Sequence, residues 1–116
     1  MPQKAKKNAR TGMARVDAIR RKIASMGLVC SGTLIERWMT CGKPNCRCTT
    51  DPNARHGPYH QWGRMDGGKL VHKYIGSGDV EELRKAISNH HEILRLLKDW
   101  ERETIAILLG AENRNP

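Results

Sequence analysis

Cys41-Gly42-Lys43-Pro44-Asn45-Cys46-Arg47-Cys48, followed closely by His56-Gly57-Pro58-Tyr59-His60, decides how this chain folds. Three cysteines and two histidines fall in a stretch of twenty residues, 41–60. Structural zinc takes four thiolate or imidazole ligands in a tetrahedron, and three cysteines with one histidine are a common set. The spacing is four residues between Cys41 and Cys46, then one between Cys46 and Cys48, which is not the C-x-x-C pair of many zinc sites. His56 lies close enough after Cys48 to converge on the same point without a long loop. Gly42 allows the backbone to double back at positive φ, and Pro44-Asn45 suits a tight turn. Three thiolates around a dication leave one net negative charge, which Lys43 and Arg47 inside the loop would offset. The expected ligands are Cys41, Cys46, Cys48 and His56, with His60 and then Cys30 as alternatives for the fourth position. All four positions are then filled by protein and no nearby carboxylate offers a general base, so the zinc is structural.

Gly32-Thr33-Leu34, Cys41-Gly42-Lys43, Cys46-Arg47-Cys48 and His56-Gly57-Pro58-Tyr59, in this order, resemble an uncharacterised family of small bacterial and archaeal proteins, known as a domain of unknown function. The resemblance extends from about Gly32 to the end of the C-terminal helix and leaves the residues before Leu28 outside. It implies a shared fold and favours His56 over His60 as ligand. It implies no activity.

The surrounding sequence gives an α+β chain. A disordered basic tail over 1–10 precedes a basic amphipathic helix over 11–27, capped by Asn8 or Thr11, with Met13, Val16, Ile19, Ile23 and Met26 on one face and Gly27 closing it. A zinc-knuckle β domain occupies 28–78. Residues 33–40 read as its first strand, and 58–65 and 69–75 as a hairpin around Asp66-Gly67-Gly68. The fold is thus an N-terminal helix, a small zinc-stapled antiparallel sheet of about three strands, and a long C-terminal helix over 79–110, before a polar tail over 111–116. In that last helix Ala86, His90, Ile93, Leu97, Trp100, Thr104 and Ile107 follow heptad spacing, and Leu83, Ile87, Leu94, Leu96, Ile105 and Leu108 widen the stripe, which is too long for the sheet to cover. A homodimer through this helix is expected.

At 116 residues, with no Phe, the chain is one small domain plus tails that benefits from a metal staple. Its charge is uneven. Residues 1–78 hold fifteen Lys/Arg against four Asp/Glu, a net +11, while 79–116 hold six against eight, a net −2. Such a basic excess is the footprint of a polyanion binder. Arg15, Arg20, Arg21, Lys43, Arg47, Arg64 and Lys73 are the expected phosphate contacts, with DNA favoured over RNA. Trp62, Tyr59 and Tyr74 read singly as core, although Tyr59 and Trp62 among Arg64, Lys69 and Lys73 also suggest a basic, aromatic hairpin. The alternative is an adaptor or assembly factor that uses the zinc unit as a staple and the long helix as a dock. There is no Gly-rich phosphate loop, no G-x-S-x-G elbow and no carboxylate pair, so an enzyme is not expected. The basic start is not followed by an apolar run, and no segment reaches membrane-spanning length. The expectation is a cytoplasmic protein with reduced cysteines and no membrane partner.

Overall fold

The computed structural model describes the backbone of residues 2–110 and the side chains of 10–110; the tail expected over 111–116 lies outside the described residues. The order of elements is α1 (Pro2–Ala24), β1 (Thr33–Met39), β2 (His56–Asp66), β3 (Lys69–Ile75) and α2 (Val80–Leu109), with 3-10 turns at Arg47–Thr49, Pro52–Ala54 and Ser77–Asp79. The α+β architecture is the one the sequence implies. Helix α1 differs at both ends. It begins at Pro2, ahead of the expected cap at Asn8 or Thr11, so the stretch read as a basic tail is helical. Proline is tolerated at the first helical position, and Gln, Ala and Lys are good helix formers. The helix ends at Ala24 and tightens through Met26 N–H to the Ile23 carbonyl at 3.1 Å. Gly27 therefore does not cap it, and is not among the positive-φ glycines.

The chain divides into two compact units, one of Met1–Val29 with Ser88–Pro116 and one of Cys30–Ile87. In the helical unit most of the apolar stripe of α1 turns inward: Val16 is buried, and Ile19, Ile23 and Met26 are half-buried, whereas Met13 stays exposed. Leu96 of α2 is also buried. The helices run antiparallel, since Gly12 faces Ile107, Arg15 pairs with Glu103 at 2.9 Å, Lys22 pairs with Glu92 at 3.4 Å, and Asn89 donates to the Leu28 carbonyl at 2.9 Å. Gly110 takes φ 84° and donates its N–H to the Ala106 carbonyl, closing α2 where expected. Only part of the heptad stripe is covered. Leu94, Leu97, Ile105 and Leu108 stay exposed beside half-buried Trp100.

In the sheet unit the strand order is β1-β2-β3, all antiparallel. β2 and β3 join through Gly67-Gly68, whose φ of 57° and 82° are the two positive values that a tight hairpin turn matching strand twist requires. The turn fixes the register, with Asp66 opposite Lys69, Arg64 opposite Val71, Trp62 opposite Lys73 and His60 opposite Ile75. On the other side Leu34 pairs with Trp62, Glu36 with His60 and Arg37 with Tyr59, before an irregularity leads to Met39 opposite His56. Because alternate residues point to opposite faces, this register sorts the side chains. Leu34, Trp62, Arg64, Val71 and Ile75 share a largely half-buried face. Ile35, Arg37, Tyr59, Met65, Leu70 and Tyr74 share the other, and all are exposed. Tyr59 and Trp62 therefore do not form one surface. Tyr59 and Tyr74 are also 43% and 54% exposed, so the reading of each as core fails for these two.

Candidate metal centre

The site stands where β1 ends and β2 begins. Met39 opposite His56 closes the pairing of the two strands, and Cys41 follows directly. Gly42 takes φ 83°, the backbone reversal that its sequence position implies. Cys46 donates its N–H to the Lys43 carbonyl at 3.2 Å, which closes the turn through Pro44-Asn45. Cys46 then precedes the 3-10 turn Arg47–Thr49. Thr49 returns both its N–H (3.1 Å) and its hydroxyl (2.7 Å) to the Cys46 carbonyl, and Cys48 is held inside as one of the buried residues of the chain. Asp51 caps the next turn by accepting from the Asn53 N–H at 2.9 Å, which leads the chain to His56.

These turns bring Cys41, Cys46, Cys48 and His56 together. One ligand atom from each lies within 4.8 Å of all the others. The Cys41 and Cys48 sulfurs are 3.6 Å apart, and Cys46 Sγ is 3.2 Å from His56 Nε2. A tetrahedral ion with ligands at ~2.3 Å (sulfur) and ~2.0 Å (nitrogen) needs edges of roughly 3.5–3.8 Å, so these two edges are within a few tenths of an ångström of that shape and the others need close by at most about 1 Å. All four cysteines of the chain are free thiols. The donor set fits a metal: three soft sulfurs, one imidazole and no carboxylate. The two alternatives for the fourth ligand stand outside it. His60 is two pairs further along the sheet, opposite Glu36, and the Cys30 N–H is bound to the Ala86 carbonyl at 3.1 Å.

The thiols differ in acidity. Hydrogen bonding from the Cys48 backbone, then from His56 and the neighbouring thiols, lowers Cys46 from 9.0 to about 6. At Cys48 the Cys41 amide, donating at 3.3 Å, favours the thiolate, but burial and the adjacent Cys46 and Cys41 outweigh it and push the value up. A metal-free cluster is therefore a mixed thiolate–thiol set at neutral pH. A dication supplies the charge that lets the remaining thiols ionise.

The seven basic residues singled out in the sequence are placed as follows. Arg15, Arg20 and Arg21 lie exposed on α1, with Arg15 paired to Glu103 and Arg20 to Asp17 at 3.4 Å. Lys43 and Arg47 are exposed on the metal loop, and Arg47 reaches Asp51 at 3.4 Å. Lys73 is exposed on β3. Arg64 is different: its guanidinium lies 4.3 Å over the Trp62 ring, approaches Asp66 at 3.6 Å, and its side chain is only 27% exposed. The sequence reading left out Arg37, which is exposed and donates to Gln61 Oε1 at 3.1 Å across β1 and β2. Its signal was the alternation of β1, usable only once the pairing with β2 is known.

The chain belongs to the family described as "Domain of unknown function (DUF6788)", whose profile matches residues 13–85. The match takes in much of α1 and stops in the first turns of α2, so it begins before the span expected from the resemblance and ends short of it. No curated protein and no solved structure matches the chain. Among the described residues no helix is long and apolar enough to cross a membrane.

Proposed function

We propose that this chain is a small zinc-stapled protein that binds nucleic acid, DNA in preference to RNA, through Lys and Arg contacts to phosphates, and that it is not an enzyme. The observation that carries this reading is the net +11 over residues 1–78. It is supported by the exposure of Arg15, Arg20, Arg21, Lys43, Arg47 and Lys73. The ion pairs that engage Arg15, Arg20 and Arg47 are solvent-exposed, worth about 0–1 kcal/mol each, and readily exchanged for a phosphate. Arg64, stacked on Trp62, is the least available of the seven. Zinc is the metal that three thiolates and an imidazole in a closed tetrahedron suit best. Its role is to fix the end of the sheet.

Two measurements test this. Metal analysis of the purified protein, with cobalt(II) substitution, should give one ion per chain and the intense visible absorption of a tetrahedral thiolate site. Anisotropy titration of a labelled DNA duplex at two salt concentrations should show affinity falling steeply with salt. Changing Arg21 and Lys43 to Gln should lower the slope of log K against log salt by about 1 per charge removed. Absence of binding at low salt would end the nucleic-acid reading.

A second reading has its own support: α2 docks a second copy of the chain. Leu94, Leu97, Trp100 and Ile105 line an open groove with Lys98 and Glu101, and those two charges have no ion pair among the described residues. An antiparallel copy centred beside Trp100 would set Lys98 opposite Glu101 and Leu94 opposite Ile105. Light scattering should then report a dimer, and Leu97→Glu a monomer.

A further inference from the structure

The face of the sheet that carries Tyr59 and Tyr74 is open. Both rings are exposed, at 43% and 54%, and meet edge to face with centroids 6.4 Å apart. Arg37 stands directly opposite Tyr59, and Gln61 directly opposite Tyr74. The Arg37–Gln61 hydrogen bond ties the guanidinium between these two rows. In the next row Gly63 has no side chain, and the His72 ring covers it so closely that an added Cβ would stand 3.0 Å from His72 Cδ2. The result is a shallow floor of planar groups: two phenols, a guanidinium, an amide and an imidazole. The face also contains no carboxylate, because the register puts Glu36 and Asp66, the two acidic residues of the sheet, on the opposite side.

We propose that this face binds single-stranded DNA, with unpaired bases stacking on Tyr59 and Tyr74 and Arg37 meeting the backbone or a third base. The proposal rests on the nucleic-acid reading above and specifies the strand state and the contact residues. Exposed rings on a sheet, free of negative charge, are what a stacking platform needs, because every base has a π-face and every nucleotide an anion. Tyr59 on the central strand and Tyr74 on the edge strand beside it project from the open face, where they can meet splayed bases but cannot enter a duplex stack. One feature favours DNA. Ile35, Met65 and Leu70 are exposed on the same face, at 44–63%, and offer apolar contact to a thymine methyl.

Anisotropy titrations of labelled oligothymidylate, oligouridylate and a DNA duplex of equal length, with the full chain at matched metal content, test the proposal. The wild type should bind the thymidylate strand more tightly than the uridylate strand or the duplex. Tyr59→Ala and Tyr74→Ala should each weaken single-strand binding by roughly 5- to 100-fold. Tyr74→Phe, which keeps the ring, should retain it, and this separates stacking from loss of fold. Duplex binding should be unchanged in all three variants. If duplex and single strand bind alike and the tyrosine variants bind as the wild type does, the platform is refuted while the broader reading survives. If neither nucleic acid binds at low salt, both fall. Tighter binding of uridylate overturns the assignment to DNA, and variants that lose self-association in place of oligonucleotide binding overturn the surface as a DNA site.

Discussion

The two units of this chain are held together by different physics. The helical unit uses ordinary burial: Val16 on α1 and Leu96 on α2 are withdrawn from water, with cross-helix ion pairs such as Arg15–Glu103 and Lys22–Glu92 around them. In the sheet unit the buried apolar side chains Val80, Ala86 and Ile87 stand on the first turns of α2, while no residue of the three strands is buried except Gly63, and the loop between β1 and β2 buries Cys48 alone. Strands that bury so little cannot offset the entropy of ordering the loop between them. The Cys/His cluster compensates at the point where the β1–β2 ladder would otherwise fray. A small protein can thus leave one face of a sheet exposed where a metal held by such a cluster would add to its core.

The sharpest way to break this contrast is to take the metal away. Chelation, or Cys46→Ser, should unfold the strands, since the free energy of filling such a site is on the order of 10 kcal/mol and is folding free energy. Circular dichroism should keep most of its helical signal while backbone amide protection in β1 and β2 is lost. Protons provide a graded version. In metal-free protein whose strands are still paired Cys46 should alkylate half-maximally near pH 6, well below an ordinary thiol, with buried Cys48 lagging, and loss of that low midpoint reports the unfolding. A folded-state value depressed from 9.0 to about 6 means that the Cys46 contribution to stability is complete only above about pH 9 and is lost as pH falls through 6. Mass-spectrometric mapping of iodoacetamide adducts against pH measures it. In the other unit Leu96→Ala should cost about 2–5 kcal/mol on thermal or urea unfolding and leave metal content unchanged. The smallest effect belongs to Arg15→Ala. Its pair with Glu103 is solvent-exposed, and the loss should be at most about 1 kcal/mol, vanishing in high salt.

Much of this arrangement was legible in the residues. Cys41, Cys46, Cys48 and His56 announce themselves because metal ligands need particular atoms at short range, and short range is visible in a sequence. Gly67-Gly68 locates the hairpin for a similar local reason, and the length of α2 follows from Gly110 and an unbroken apolar period. The less legible features depend on register or on distant partners. Tyr59 and Trp62 look like neighbours in one patch until pairing with β1 and β3 sends them to opposite faces. Arg64 looks like a free cation until Trp62 and Asp66 are seen to hold it. The stripe of α2 splits, with Leu96 inside and Leu97 outside, because α1 covers only one side of it. The start of α1 was missed for a local reason: charge was taken for disorder although Gln, Ala and Lys are all at home in a helix.

The clamped ends of β2 carry a consequence for anyone who edits this protein. His56 anchors one end and the two-glycine turn anchors the other, so the eleven residues His56–Asp66 have a fixed parity. Lengthening that segment by a single amino acid ahead of Tyr59 would leave Tyr59 and Trp62 on their faces, because the turn fixes their pairing with β3, and would turn His56 to the opposite side, away from the three cysteines. Lengthening it by two would restore the side on which His56 projects. Odd and even insertions at that spot should therefore behave as different proteins, whereas the polar 49–55 loop can take either.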